Sequence, residues 1–167
     1  MAAFKMQQLS TIDRVVAGAG AIALVSLFLP WYGASTPIYS ASVSGFSTSY
    51  GWLGGLLIVA TGAYLALLRS GTKLPELPAG PGVVVLGASL LGTVIVALRW
   101  LTLPSGSASV GGVTYLSYGP RVGIILTLVV GLVQVGCAFT LFRRSGERVP
   151  WSTSHGSPGE TPPPADQ

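Results

Sequence analysis

The stretch VGIILTLVVGLVQVGCAFTLF, residues 122–142, decides the fold of this chain. Its 21 residues carry no charge and lie between Arg121 on one side and Arg143 and Arg144 on the other. A helix of this length spans roughly 31 Å at about 1.5 Å per residue, which matches the hydrocarbon thickness of a bilayer. The sequence therefore predicts a membrane-spanning helix at about residues 120–144.

The composition of the whole chain also indicates a membrane protein. Of the 167 residues, 50% are hydrophobic and only 8% are charged, whereas about 25% are charged in soluble domains. These charged side chains are too few to cover the surface of a soluble domain. We therefore expect lipid to cover the surface of this protein. The net charge of +4 comes from cations that flank apolar runs and form no patch, which argues against nucleic-acid binding.

Three further apolar runs precede this stretch, and together the four predict an all-α fold, a four-helix transmembrane bundle. The expected helices lie at about residues 10–31, 50–69, 81–102 and 120–144 of a membrane domain that covers residues 10–144. A short cytoplasmic segment at residues 1–9 precedes this domain. Residues 145–167 are rich in Ser, Gly, Pro and Thr and too poor in apolar residues to form a core, so we expect a disordered cytoplasmic tail.

The distribution of Lys and Arg predicts the orientation of the helices. One side of the predicted bundle carries only Arg99 and Arg121, whereas the other side carries seven basic residues: Lys5, Arg14, Arg69, Lys73, Arg143, Arg144 and Arg148. Because the more basic side of a membrane protein faces the cytoplasm, we expect a multi-pass plasma-membrane protein with both termini cytoplasmic. Trp31, Trp52 and Trp100 then fall at the outer interface, where we expect an aromatic belt.

The two outer loops carry no charge and resemble each other in sequence. SASVSG at residues 40–45 matches SASVGG at 107–112, SYG at 49–51 matches SYG at 117–119, and Trp31 matches Trp100. Two explanations are open: a duplication that gives two parallel helical-hairpin repeats, or chance among common small residues. The alternation in residues 38–44 is typical of a strand, so we expect both loops to form short strands that pair with each other over the outer face.

The last helix carries a candidate helix-packing seam. Gly123, Thr127 and Gly131 recur every four residues and share one helix face, where small side chains let another helix approach closely in lipid. Gln134 is the most polar side chain near a helix midpoint, and we include it in the seam. It either hydrogen-bonds a neighbouring helix or lines a pore or an oligomer axis.

The sequence carries no catalytic, cofactor-binding or metal-binding motif. The five carboxylates and the one histidine all belong to the predicted cytoplasmic side, outside the apolar runs: Asp13, Glu76, Glu147, Glu160, Asp166 and His155. The membrane and the outer face therefore lack the groups that general acid–base catalysis and ion-coupled transport use. The single cysteine, Cys137, forms no disulfide within one chain. We expect a protein that is not an enzyme and has no cofactor.

Arg99 and Arg121 are the candidate binding residues, because they are the only charges on the predicted outer side and no outer carboxylate pairs with them. In one interpretation, each side chain extends to lipid phosphates and only sets the depth of its helix. In the other, the two together bind an anionic lipid headgroup or an acidic partner. The sequence leaves both open.

Several short segments resemble a family of membrane proteins. They are DRVVAG at residues 13–18, LPWY at 29–32, SVSGF at 42–46 and KLPELP at 73–78. Over about residues 11–144 the chain is similar to small four-helix integral membrane proteins of actinobacteria, most of which are uncharacterised. The resemblance implies a four-helix membrane fold and no catalytic residues. Some mycobacterial relatives carry a Pro-rich cytosolic tail after the four helices, and for these the resemblance implies a link to envelope growth and division.

Three classes of function remain for such a protein. The first is a structural or adaptor component of the membrane, for example in cell-envelope or division machinery. The second is an accessory protein that handles lipids or envelope precursors through Arg99 and Arg121, and the third is a channel or transporter subunit. The expected partners are membrane lipids and other membrane proteins or further copies of the chain.

Overall fold

The computed structural model describes residues 10–72 and 80–146 of the chain. The helices are α1 (Thr11–Phe28), α2 (Gly51–Arg69), α3 (Pro81–Thr102) and α4 (Val122–Ser145). The strands are β1 (Pro30–Ser35), β2 (Ser40–Ser44), β3 (Gly106–Val110) and β4 (Val113–Pro120), with a short 3₁₀ turn at Gly45–Ser47. The predicted segment at residues 1–9 and the predicted tail beyond residue 146 lie outside the described residues.

The structure confirms the predicted number of helices, and each of the four is long and apolar enough to cross a membrane. They contain between 18 and 24 residues, and their mean hydropathy lies between 1.6 and 2.4. Large apolar side chains are exposed around the bundle, among them Ile22, Val25, Leu90, Leu98, Val129 and Leu132. An apolar surface of this extent is typical of contact with lipid or with another protein.

Interactions between residues near each other in the sequence determine where helix α1 begins and where it ends. Ser10 Oγ accepts a hydrogen bond from the Asp13 N–H at 3.3 Å, and Asp13 Oδ2 accepts one from the Ser10 N–H at 3.2 Å. This capping box satisfies two N–H groups that would otherwise lack a partner. The helix ends at Phe28, earlier than expected, because the ring of Pro30 disfavours a helical Leu29, which is extended at φ −73° and ψ 159°.

The helices form a ring in which α1 contacts α2, α2 contacts α3, α3 contacts α4, and α4 returns to α1. The four strands form one antiparallel sheet in the order β2-β1-β4-β3. Each strand is joined to one helix along the chain, and the strand order repeats the order α2-α1-α4-α3 around the ring. The sheet therefore continues the ring beyond the helices and is open between β2 and β3.

This sheet corrects the prediction of an all-α fold. The expected pairing of the two outer segments is present, because β1 of the first segment pairs with β4 of the second, from Tyr32 opposite Pro120 to Ser35 opposite Ser117. The predicted first helix includes Pro30 and Trp31, which instead begin β1, and the predicted fourth helix begins too early. Pro120 still belongs to the sheet, so α4 begins only at Val122.

The sequence matches between the outer segments do not occupy equivalent places. The two SASV segments lie in β2, the second strand of its hairpin, and in β3, the first strand of its hairpin. Trp31 lies in β1, whereas Trp100 lies in α3. These matches therefore do not align equivalent positions of two repeats, although the element order helix-strand-strand-helix occurs twice along the chain.

Small residues lie at each of the four helix contacts. Glycines lie where α1 meets α2 and where α2 meets α3: an added Cβ at Gly20 would be 3.0 Å from the Gly62 Cα, and one at Gly54 would be 2.7 Å from the Gly92 carbonyl oxygen. Lipid supplies no hydrophobic force between helices. Helices therefore associate where small residues face each other and let the two backbones pack closely.

The predicted seam of α4 supplies the other two contacts. A Cβ at Gly131 would lie 2.7 Å from Thr93 Oγ1 of α3. Thr127 Oγ1 lies 2.6 Å from Ser26 Oγ of α1, and both hydroxyls are fully buried. One face of α4 therefore contacts α1 and α3 at successive turns.

Trp31 joins the sheet to the bundle. Its side chain is fully buried, and its Nε1–H donates a hydrogen bond to the carbonyl oxygen of Ser26 at 2.8 Å. Three glycines surround the indole: a Cβ would lie 2.6 Å from it at Gly45, 3.0 Å at Gly51 and 2.5 Å at Gly123. Because these glycines belong to the 3₁₀ turn, α2 and α4, one side chain fixes the relative positions of several elements.

Gly131→Leu is expected to destabilise the bundle, because its side chain would collide with Thr93 and Ile58. Overpacking of this kind costs about 1–3 kcal/mol. Gly136→Leu on the same helix is the matched control, because no atom lies within 4 Å of a Cβ at Gly136. The measurement is the free energy of unfolding by SDS titration in mixed micelles. Equal stability of the two variants would contradict the packing role of Gly131.

Candidate functional site

Arg121 connects the sheet to the bundle at the end of the molecule that carries the strands, which we name the sheet end. It lies between the last residue of β4 and the first residue of α4. Its backbone N–H donates a hydrogen bond to the carbonyl oxygen of Trp31 at 2.9 Å. Since the Trp31 side chain is fully buried, this bond holds the start of α4 against a fixed part of β1.

The side chain of Arg121 lies across β1. Its Nη2 donates a hydrogen bond to Ser35 Oγ. A Cβ at Gly33 would lie 2.7 Å from Arg121 Nε and 3.0 Å from the carbonyl oxygen of Ala41, so glycine leaves the space that the guanidinium occupies. The pairing of β1 with β4 brings Arg121 to this strand, although 86 residues separate it from Ser35.

Arg121 forms one wall of a polar groove on the β1–β2 hairpin, which we name the Arg121 groove. Its volume is about 250 Å³, and its lining residues are Pro30, Ser35, Ser40, Ala41, Ser42 and Arg121. Three serines and a guanidinium therefore line one small space, and all four side chains can donate hydrogen bonds. The sequence marked Arg121 as a candidate but not these serines, because serine is common throughout both outer segments.

No carboxylate neutralises Arg121 in the part of the chain that the structure describes. The one described carboxylate is Asp13, at the opposite end of the bundle, where its Oδ2 lies 3.3 Å from Arg69 Nε. Within residues 10–72 and 80–146, no three His, Cys, Asp or Glu side chains form a possible metal site. The charged side chains described at the sheet end, Arg99 and Arg121, are therefore both cationic, which favours an anion as a ligand.

Arg99 occupies a different place at the sheet end. Its Cζ lies 5.7 Å from the centroid of the Tyr50 ring, a cation–π distance, and its Cγ would be 2.8 Å from a Cβ at Gly51. Its Nε is buried and has no hydrogen-bond partner among the described residues. Arg99 does not line the Arg121 groove. The structure therefore does not bring the two predicted arginines into one site.

The three tryptophans of the predicted aromatic belt have different surroundings. Trp31 is fully buried beneath the sheet, Trp52 is half-buried against the core, and Trp100 is 41% exposed. Trp31 is thus a packing residue that does not face lipid, whereas Trp52 and Trp100 reach the surface of the bundle.

Gln134 hydrogen-bonds a neighbouring helix, the first of the two alternatives that the sequence left open. Its side chain is fully buried, and its Nε2 donates to the carbonyl oxygen of Ile58 in α2 at 3.1 Å. Its Oε1 and the buried hydroxyl of Ser89 in α3 have no partner within the described residues. The amide therefore contributes one hydrogen bond and also places an unsatisfied oxygen in the bundle.

Comparison with known proteins adds no assignment to this geometry, because neither a family model, nor a curated protein, nor a solved structure matches the chain. The sheet and the Arg121 groove are the features of the molecule that bear on its function.

Gln134→Leu is expected to leave the bundle as stable as the unmodified chain or slightly more stable. The variant loses one interhelical hydrogen bond worth about 0.6 kcal/mol, but it removes an unsatisfied oxygen whose burial costs about 1–3 kcal/mol. The measurement is the free energy of unfolding in mixed micelles. A loss of stability as large as that of Gln134→Ala, which leaves a cavity, would contradict this account.

Proposed function

We propose that this chain is a non-enzymatic, multi-pass protein of the plasma membrane with both termini cytoplasmic, and that it acts as a structural component by assembling with copies of itself. The observation that carries the proposal is the pair of sheet edges, β2 and β3, that no other described strand covers. The link of the resembling mycobacterial proteins to envelope growth and division supports a place for this assembly in the cell envelope.

Both edge strands lack the usual protection against pairing. An edge strand presents unpaired N–H and C=O groups, which proteins commonly shield with charged side chains or proline. Neither β2, with the sequence SASVS, nor β3, with the sequence GSASV, contains a charge or a proline. The described side chains of both strands are small and largely exposed, so another strand can approach them.

A second copy of the chain is the partner that fits these edges. Strand directions alternate across the sheet, so β2 of a second copy with the same orientation in the membrane would run antiparallel to β3 of the first. Such a copy keeps the orientation that a shared membrane imposes. A head-to-tail contact of this kind builds a row or a ring. The alternative of a channel or transporter subunit has less support, since the buried Gln134 amide bonds helix backbone.

The proposed orientation is tested by cysteine labelling in intact cells. In a Cys137→Ala background, Ser109→Cys in β3 is expected to react with a membrane-impermeant maleimide, because the sheet end lies outside the cell. Thr72→Cys, which is also exposed but lies at the opposite end of the bundle, is expected to react only after the cells are opened. The reverse pattern would contradict the orientation.

The proposed assembly is tested by crosslinking two differently tagged chains, both in the Cys137→Ala background. One chain carries Ser42→Cys in β2 and the other Ala108→Cys in β3, and a short thiol crosslinker is expected to join them in the membrane. The control replaces the second chain by Ser117→Cys, since Ser117 is also exposed but belongs to the inner strand β4.

Two results would overturn the head-to-tail contact. One is crosslinking of Ser117→Cys as efficient as that of Ala108→Cys. The other is a product formed only between two chains that both carry Ser42→Cys.

In support of the contact, Ala108→Lys in an otherwise unmodified chain is expected to reduce the oligomer, because a charged residue on an edge strand opposes pairing.

A further inference from the structure

We propose that the Arg121 groove binds a phosphate group, carried either by an anionic lipid headgroup or by a free phosphate compound. This inference goes beyond the proposed self-assembly, and its test measures ligand binding, not oligomeric state. The groove joins a fixed guanidinium to three serines at the sheet end, with a volume of about 250 Å³.

The guanidinium of Arg121 is held in place before any ligand arrives. Nη2 donates to Ser35 Oγ, the stem lies over Gly33, and the backbone N–H is bonded to Trp31. A guanidinium presents five N–H donors in a planar fork, so most of them remain for an anion after the bond to Ser35. An arginine held in this way loses little further side-chain freedom on binding.

The serines add donors around the same space. Ser35 Oγ already accepts a hydrogen bond from Arg121, so its own proton is left to point at a ligand. The hydroxyls of Ser40 and Ser42 form no hydrogen bond with other described residues. Inorganic phosphate and phosphate monoesters offer three or more terminal acceptor oxygens, and a phosphodiester offers two together with weaker ester oxygens, all in a tetrahedral arrangement, whereas a carboxylate offers two in a plane. A guanidinium surrounded by three hydroxyls therefore suits phosphate better than carboxylate.

The position of the groove makes a lipid headgroup one source of that phosphate. Arg121 immediately precedes α4 and Pro30 follows α1, so the groove lies where two membrane-spanning helices end. The headgroups of a bilayer lie just outside its hydrocarbon core, at this level of the protein. Because Asp13, the one described carboxylate, lies at the opposite end, no described carboxylate competes with a ligand for Arg121.

The test uses the full-length chain, purified in a neutral detergent and freed of bound lipid, with affinities from isothermal titration calorimetry. The probes are inorganic phosphate, short-chain phosphatidylglycerol and a peptide rich in Asp and Glu. Arg121→Gln is expected to weaken binding of the phosphate-bearing probe by about tenfold or more, since it removes charge-assisted hydrogen bonds. Arg99→Gln is the matched control, because it removes the same charge at the same end but lies outside the groove.

A second variant keeps the proposal testable if Arg121→Gln fails to fold. Ser40→Ala combined with Ser42→Ala leaves the anchoring of Arg121 intact and is expected to weaken binding by about fivefold or more. Arg121→Lys is expected to bind less tightly than the unmodified chain although it keeps the charge, because a lysine has no planar fork.

The outcomes separate the two sources of phosphate. Binding of phosphatidylglycerol without inorganic phosphate identifies a lipid headgroup, and comparable binding of both identifies phosphate from any source. The proposal is wrong if neither probe binds or if Arg99→Gln weakens binding as much as Arg121→Gln. It is also wrong if the acidic peptide binds more tightly than both phosphate probes, since the groove would then recognise carboxylates.

Discussion

Burial of one indole is the interaction on which the rest of this structure depends. Trp31 lies where the helices give way to the sheet, and Gly45, Gly51 and Gly123 contact it from three other elements. Burying a side chain of roughly 200 Å² is worth on the order of 5 kcal/mol. Its Nε1–H and its carbonyl oxygen are both hydrogen-bonded, to Ser26 and to the N–H of Arg121. The position of the sheet over the bundle, and with it that of Arg121, therefore follows from the packing of this residue.

The four helices obey a different constraint, because lipid does not drive them together. Each contact in the ring has a place where small or hydroxyl-bearing side chains let two backbones approach, such as Gly20 with Gly62 and Ser26 with Thr127. The sequence shows which residues are small, and for α4 it shows the face that they share. It does not show which glycine meets which, since that depends on the register of two helices that form separately. The glycines are paired only when the four helices have packed into the bundle.

The limits of prediction from the sequence have the same physical origin. The membrane sets the length of an apolar helix, so three of the four helix ranges agree with expectation to within two residues. The exception is α1, where Pro30 and Trp31 have the composition of an interfacial helix end but form a strand. The strands consist largely of Ser, Ala, Gly and Val, so hydrophobic alternation is weak. Arg121 was distinguished by its charge, whereas Ser35, Ser40 and Ser42 gain importance only from a strand pairing between distant parts of the chain.

The surroundings of Arg121 favour one of the two roles that its charge allows. An arginine that only anchors a helix in the headgroup layer needs a flexible stem and access to lipid phosphates. Arg121 instead crosses a strand at a glycine, and its Nη2 is held by a serine hydroxyl. Fixing a long side chain costs conformational entropy of up to about 2 kcal/mol, a cost that simple anchoring does not require. The same rigidity favours recognition, because a guanidinium already in position loses less freedom when an anion binds.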